Sequence, residues 1–319
     1  MEMTSPCLYV VIPCYNEEEV LPITAPLFLE ELELLQGKGL VNQMSRICFV
    51  NDGSSDDTWE LITQLSRQNP SFTGISLSRN RGHQNALLAG LIDCRDKCDI
   101  TISIDADGQD DISVMEDMVN AFLAGCDVVY GVRSSRETDS FFKRTTAQGF
   151  YALMDKMGVE SVYNHADYRL LSTKALNELA KYKEVHLFLR GMVPLIGFKS
   201  TSVEYERHER MGGESHYPLS KMLSLAVNGI TSLSVRPIRV VAAAGFVAAV
   251  VGLIGIVWSF VGWLLGSTVS GWASLAVIIC FFGGIQMLSL GIIGEYVGKT
   301  YMETKRRPRF AIDKRTGER

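Results

Sequence analysis

Short runs of β-branched and aliphatic residues alternate with segments of helical period through the first 130 or so residues. Cys7–Cys14, Arg46–Asn51, Thr73–Ser78, Asp99–Asp105 and Asp127–Val132 are short runs of strand length, rich in apolar and β-branched residues as buried strands are. Between them, Glu18–Leu35, Asp56–Gln68, His83–Arg95 and Asp111–Ala124 have the spacing of helices. This alternation predicts an α/β domain, a mostly parallel sheet covered by helices. Ligands bind such sheets beyond the carboxyl ends of the strands. There the sequence turns polar: Pro13-Cys-Tyr-Asn-Glu17, Asn51-Asp-Gly-Ser-Ser-Asp56, Ser78-Arg-Asn-Arg-Gly82, Asp105-Ala-Asp-Gly-Gln109 and Arg133.

The pattern changes after Val235. From Val240 to Gly294 no Asp, Glu, Lys, Arg or His occurs, about twice the length one helix needs to cross a hydrocarbon core of ~30 Å. A turn-like break at Gly266–Gly271 divides the run into about 240–265 and 272–293, and Trp263 and Trp272 flank it as interfacial residues do. A two-helix transmembrane hairpin is expected. Before it, Tyr217–Val235 has the spacing of an interfacial helix. The expected organisation is a catalytic domain over 1–215, a juxtamembrane helical segment over 216–238, the hairpin within 239–298 and a basic tail over 299–319. Arg236 and Arg239 precede the hairpin, and Lys299, Lys305, Arg306, Arg307 and Arg309 follow it. The positive-inside rule then places the catalytic domain and both termini in the cytoplasm. The apolar run Leu8–Pro13 is only of strand length, so no secretory signal is expected at the start. Gly262-x-x-x-Gly266 and Gly294-x-x-x-Gly298 make a homo-oligomer possible.

The net charge of −5 conceals this tail, where eight Lys and Arg face three Asp and Glu. The tail suits anionic headgroups, and nucleic acid is not an expected partner. Seven cysteines in irregular spacing read as reduced, buried thiols, with no zinc pattern.

Asp105 and Asp107, one residue apart after an apolar strand, are the most specific chemical signal. Such carboxylates, with Gln109 as a neutral oxygen, suit a divalent cation, Mg2+ or Mn2+, that also bridges diphosphate oxygens. Asp52 suits a base or ribose edge, while Ser54, Ser55 or Asp56 would cap a helix. Arg79 suits diphosphate.

VVIPCYNEEE, FVNDGSSDDT, SLSRNRGHQNALLAG, SIDADGQDD, HADYRLLS and RMGGESHYPL, in this order before two apolar stretches ending in GEYVGKTYMETKRRPRF, resemble the polyprenyl-phosphate glycosyltransferases. The likeness is to bactoprenol glucosyltransferases and, more distantly, to dolichol-phosphate mannose synthases, over about residues 7–310. It implies an inverting, metal-dependent enzyme of the GT-A (Rossmann-like) fold in the bacterial cytoplasmic membrane. Its expected partners are a UDP-sugar, first UDP-glucose, and a polyprenyl phosphate such as undecaprenyl phosphate. Pro13, Tyr15, Asn16, Glu17 and Asp52 match the nucleoside-binding motifs, and Asp105, Asp107 and Gln109 the metal and diphosphate motif. Asp167 matches the position assigned as catalytic base. Arg133, Arg144, Arg207, Arg210 and Ser215 match acceptor-side positions. Related sequences commonly carry Leu and Pro at Gly108 and Asp111, and many carry Lys at His216, which here gives the acceptor side a weaker, pH-dependent cation.

A phosphate monoester is largely dianionic at neutral pH and needs little deprotonation, so orienting Arg169 or a water competes with base catalysis as the role of Asp167. Arg210, with Gly212 and Gly213 beside it, is placed to meet a phosphate rising from the membrane. A processive polysaccharide synthase is disfavoured, because no Gln-x-x-Arg-Trp string occurs. A transporter subunit is disfavoured because both spans lack ionisable residues, and the intact carboxylates argue against a non-catalytic scaffold.

Overall fold

The computed structural model describes residues 5–134, 165–185, 188–207, 231, 234–265 and 271–316. The apolar runs become β1 (Leu8–Cys14), β2 (Arg46–Asn51), β3 (Phe72–Leu77), β4 (Ile100–Ser103) and β5 (Val128–Arg133). Between them lie α1 (Leu21–Gly37), α2 (Thr58–Gln68), α3 (His83–Cys94) and α4 (Met115–Leu123). A short 3-10 turn, Ile112–Val114, leads into α4, and Asp111 caps it by accepting from the Ser113 N–H at 3.0 Å. Then follow β6 (His165–Ser172), α5 (Thr173–Leu179), α6 (Leu189–Leu195), β7 (Ser200–Tyr205), two long helices, α7 (Arg236–Leu264) and α8 (Trp272–Thr304), and a last strand, β8 (Ile312–Arg315).

These strands form one sheet in the order β7-β5-β6-β4-β1-β2-β3-β8. β1 runs parallel to β2 and β4, and β2 to β3, as βαβ alternation requires. β6 enters antiparallel between β4 and β5, and β7 lies parallel to β5. The carboxyl ends of β1 to β5 and β7 therefore share one rim with the amino end of β6.

Both faces of the sheet's centre are buried, which is why β1 and β2 are largely apolar, whereas the edge strand β7 is mostly exposed. On one face Val10 and Ile12 pack with Phe28 and Leu32 of α1 and Met118 of α4. On the other, Val11 and Val50 pack with Leu87 and Leu91 of α3 and Leu176 of α5. Helix α3 lies so close that a Cβ on Gly90 would stand 2.5 Å from a Val11 methyl and 2.6 Å from a Val50 methyl. The described cysteines, Cys7, Cys14, Cys48, Cys94, Cys98 and Cys126, are free thiols, all buried except the half-buried Cys98.

Helices α7 and α8 are both long and apolar enough to cross a membrane. Phe246, Trp258, Leu265, Met287 and Leu288 are exposed along them or at their ends. Open space surrounds the Cβ positions of Gly294 and Gly298 among the described residues.

The basic segment after α8 does more than offer charge. β8 pairs antiparallel with β3, Ile75 opposite Arg315 and Ser76 opposite Lys314. Ser78 N–H donates to Ala311 O at 3.0 Å, Thr316 N–H to Gly74 O at 2.9 Å, and Gly74 N–H to Thr316 Oγ1 at 2.8 Å. Arg315 Nη2 lies 3.0 Å from Asp93 on α3. The chain thus returns from its apolar helices to cover an open sheet edge.

Candidate active site

The loops after β1 and β2 are laced together. Asn16 takes a left-handed conformation, φ 53°, which asparagine tolerates. Its N–H donates to Ser54 Oγ at 3.0 Å, and its Oδ1 accepts from Ser55 N–H at 2.9 Å. Glu17 N–H donates to Thr58 Oγ1 at 2.9 Å. Pro13 is buried at the end of β1, whereas Tyr15 stands exposed on the rim.

Asp52 is buried, 2% exposed. Its Oδ1 accepts from Arg81 N–H at 2.7 Å and its Oδ2 from Gly82 N–H at 2.9 Å, so it fastens the loop after β3. Burial raises its pKa against the lowering effect of those two amides. Next to it Gly53 has φ +64°, and a Cβ there would stand 2.5 Å from the Arg79 carbonyl carbon. Glycine alone permits that approach. Arg79 itself is exposed at the rim.

The carboxylate turn leaves β4 through Asp105. Gly108 reverses the chain at φ 68°, and Asp107 Oδ1 accepts from Gln109 N–H at 3.1 Å. Asp105 Oδ1 is buried without a hydrogen-bond partner, and His83 Nε2 stands 3.5 Å from it. A buried carboxylate oxygen lacking a donor fits a hard cation, as do the second carboxylate and the Gln109 amide. Among the described residues, no three His, Cys, Asp or Glu side chains converge as a metal cage. The residues that would hold a cation here are Asp105, Asp107 and Gln109.

On the far side of this turn Arg207 bonds the Gln109 side-chain oxygen, and Asp110 forms a β-bridge with Arg207. Buried Asp110 accepts from Tyr205 Oη at 2.8 Å and lies 3.9 Å from Arg133 Nη2. Burial and the Asp105 charge push its pKa up to about 6. Arg133 Nε donates to Tyr205 Oη at 3.4 Å. Arg133 and Arg207, two of the four arginines expected beside the acceptor, thus reach the rim and brace the carboxylate turn.

Asp167, at the start of β6, is brought to the rim by the β4–β6 register, with Ser103 opposite Arg169. It is 5% exposed. Oδ1 accepts from Arg169 and, at 3.4 Å, from Arg190 Nε; Oδ2 accepts from Arg190 Nη2 and Gln84 Nε2, each at 3.1 Å. His83 Nε2 lies 3.5 Å from Oδ2. Burial alone would raise this carboxyl, but Arg190, His83 and Arg169 hold it well below the usual carboxylate range. His83 responds in kind: burial lowers it, yet Asp167 and Asp105 lift it to about 9. Its side chain is nevertheless 42% exposed, so solvent moderates that rise.

The rim therefore gathers Pro13, Tyr15, Asn16, Glu17, Asp52, Arg79, Asp105, Asp107, Gln109, Arg133, Asp167 and Arg207. Arg144, Arg210, Ser215 and His216 lie outside the described residues, as does most of the expected segment 216–238. His83, Gln84 and Arg190 join the site without having been singled out by the sequence. The signal for His83 and Gln84 is only Gly82-His-Gln at a helix start after a strand end, and Arg190 lies on a separate helix with no such signal.

The sheet is of the α/β kind that GT-A-like glycosyltransferases have, and the family match gives the class. The chain belongs to glycosyl transferase family 2, whose model matches residues 9–180. It is 52% identical to the uncharacterized glycosyltransferase YkoT of Bacillus subtilis, over 98% of this chain and 93% of that one. It is 38% identical to the prophage bactoprenol glucosyl transferase homolog of Escherichia coli, over 95% and 97% of the two chains. The bactoprenol glucosyl transferase of Shigella phage SfX is also 38% identical, over 96% and 98%.

Proposed function

We propose that the chain transfers glucose from UDP-glucose to a polyprenyl phosphate such as undecaprenyl phosphate, with inversion, for glycosylation of cell-envelope polymers. The observation that carries this is the buried Oδ1 of Asp105 at the end of β4, which accepts no hydrogen bond and has His83 Nε2 at 3.5 Å, beside Asp107 and Gln109. The near full-length likeness to relatives named bactoprenol glucosyl transferase supports the sugar and the lipid. Helices α7 and α8 span the cytoplasmic membrane in this reading, since their exposed apolar side chains suit lipid and not water. The catalytic domain and both termini then lie on the cytoplasmic side, and homo-association through glycines of the hairpin is part of the proposal.

Tyr15, Asn16, Glu17 and Arg79 would meet the nucleotide, while Pro13 and Asp52 shape the loops that present them. A divalent cation held by Asp105, Asp107 and Gln109 would neutralise charge on the departing UDP. Arg207 donates to the Gln109 side-chain oxygen and so stands beside the residues that would hold the cation. Arg133, Arg144, Arg207, Arg210, Ser215 and His216 form the acceptor side. An oxygen of the lipid phosphate attacks the anomeric carbon as the bond to UDP breaks and its electron pair leaves with UDP. Two dianions become a phosphodiester monoanion and a UDP trianion, so the step balances without removing a proton.

The test offers purified protein UDP-glucose, UDP-galactose and UDP-N-acetylglucosamine with undecaprenyl phosphate and Mg2+ or Mn2+, and reads the lipid by mass spectrometry. A hexose-bearing lipid phosphate from UDP-glucose is expected. A preferred product from another donor would move the sugar assignment.

A further inference from the structure

Asp167 sits among cations that the transfer reaction gives a use. Resting on the reading above, we infer that Arg190 contacts the attacking lipid phosphate, and that Asp167 is the positioning residue that aims it, not a base.

The geometry begins with the carboxylate. Asp167 is buried, and both its oxygens are engaged by side-chain donors from three places in the fold: Arg169 on its own strand, Gln84 on α3, and Arg190 on α6. A group so fully engaged is a poor proton acceptor, and the balanced step needs none. What the arrangement does provide is orientation. Arg190 meets Asp167 through Nε and Nη2, an edge-on pairing that fixes the plane of the guanidinium. Gln84 locks the same helix a second way, because its Oε1 accepts from Leu189 N–H at 3.0 Å while its Nε2 serves Asp167. Buried Arg169 completes the brace by donating Nη1 to Leu189 O at 3.2 Å. Two side chains thus tie the residue preceding Arg190 to the Asp167 carboxylate.

Exposure separates the two arginines. Arg169 is 1% exposed in its side chain and cannot meet a substrate, whereas Arg190 is 32% exposed beside the same carboxylate. A guanidinium has five N–H donors and can serve two oxyanions on two edges. Place in the site decides which anion. His83 Nε2 stands 3.5 Å from Asp105 Oδ1 and 3.5 Å from Asp167 Oδ2, and Arg190 Nη2 is 3.1 Å from that same Oδ2. Arg190 is thereby one histidine and one carboxylate away from the carboxylate turn, across from the loops after β1 and β2. A nucleophile must approach the sugar from the side opposite the departing diphosphate, and the anion that does so here is the lipid phosphate.

The experiment uses full-length protein in nanodiscs, UDP-glucose and undecaprenyl phosphate at varied concentrations. Arg190→Ala should raise the KM for lipid phosphate about tenfold or more, while UDP affinity by calorimetry stays within about twofold of the parent. Arg190→Lys should recover part of the loss, and guanidinium ion at millimolar concentration should partly rescue Arg190→Ala but not the parent. Asp167→Asn should show the same split, a raised acceptor KM with nearly normal UDP binding. The doubly substituted protein should be no worse than the poorer single variant by more than about twofold, because both substitutions remove one interaction. An unchanged acceptor KM in Arg190→Ala would overturn the inference. So would losses that multiply in the double variant, or an Asp167→Asn defect confined to kcat. UDP binding serves as the check on folding, and if Arg190→Ala fails it, Arg190→Gln and Arg190→Lys carry the same comparison. Absence of lipid-dependent UDP release from the parent protein would instead refute the function, a result distinct from any of these.

Discussion

The carboxylate of Glu303, at the end of α8, accepts the Val185 N–H through both oxygens, at 2.9 and 2.8 Å. Arg309, six residues on, donates to the Tyr182 carbonyl. These bonds join the helix proposed to leave the membrane to the segment that leads into α6 and Arg190. Glu303→Ala should therefore disturb acceptor use more than donor binding, with about a three- to tenfold rise in the KM for lipid phosphate. Faster hydrogen exchange at the Val185 amide, with UDP affinity unchanged, checks the cause.

Asp107→Asn should reduce transfer by roughly 100-fold or more while leaving the fold intact, because an amide cannot supply the anionic oxygen a divalent cation requires. Circular dichroism and UDP-release assays measure the two parts. Transfer that persists at normal rate in EDTA would remove the cation from the account.

Ending the chain after Phe310 deletes β8 and exposes the edge of β3. Several backbone hydrogen bonds at about 1 kcal/mol each put the expected fall in Tm at roughly 5–10 °C. A fragment ending at residue 235 should bind UDP but show the same fall, since the catalytic sheet borrows β8 from beyond the apolar helices. Thermal unfolding of the two truncations side by side tests this. Equal Tm values for the full chain and the chain lacking β8 would mean the strand adds nothing.

Glu31 supplies a pH dependence with a definite sign. Burial first, then the Glu116 charge, raises its pKa from 4.5 to about 7, with Lys38 opposing. The folded protein holds this proton more tightly than the unfolded chain, so the stabilisation is full below about pH 4.5 and is lost as pH rises through 7. Glu31→Gln should flatten the fall in Tm between pH 5.5 and 8. An identical fall in parent and variant would show that this carboxyl does not titrate across that window.

Much of the rim was legible because its physics is local. A buried strand must be apolar and must end where the chain reaches water, so Asn16, Asp52, Asp105 and Asp107 announced themselves at the ends of β1, β2 and β4. His83, Gln84 and Arg190 did not, because what joins them to Asp167 is the antiparallel insertion of β6 between β4 and β5. That pairing spans more than sixty residues and leaves no mark on local spacing. Ile312–Arg315 is too short and too charged to announce a strand, and only the open edge of β3 makes it one. Arg133 and Arg207 both stand at the rim, where their bonds to Tyr205 and Gln109 depend on β5 and β7 lying side by side.

The central claim is that a lipid phosphate accepts the sugar, and lipid-dependent release of UDP tests it most directly. With full-length protein in nanodiscs, UDP-glucose and a divalent cation, release should be slow without undecaprenyl phosphate. Adding the lipid should accelerate it at least tenfold, with one glucosylated lipid formed per UDP. UDP release indifferent to lipid phosphate, or lipid recovered unmodified beside accumulating free glucose, would contradict the account.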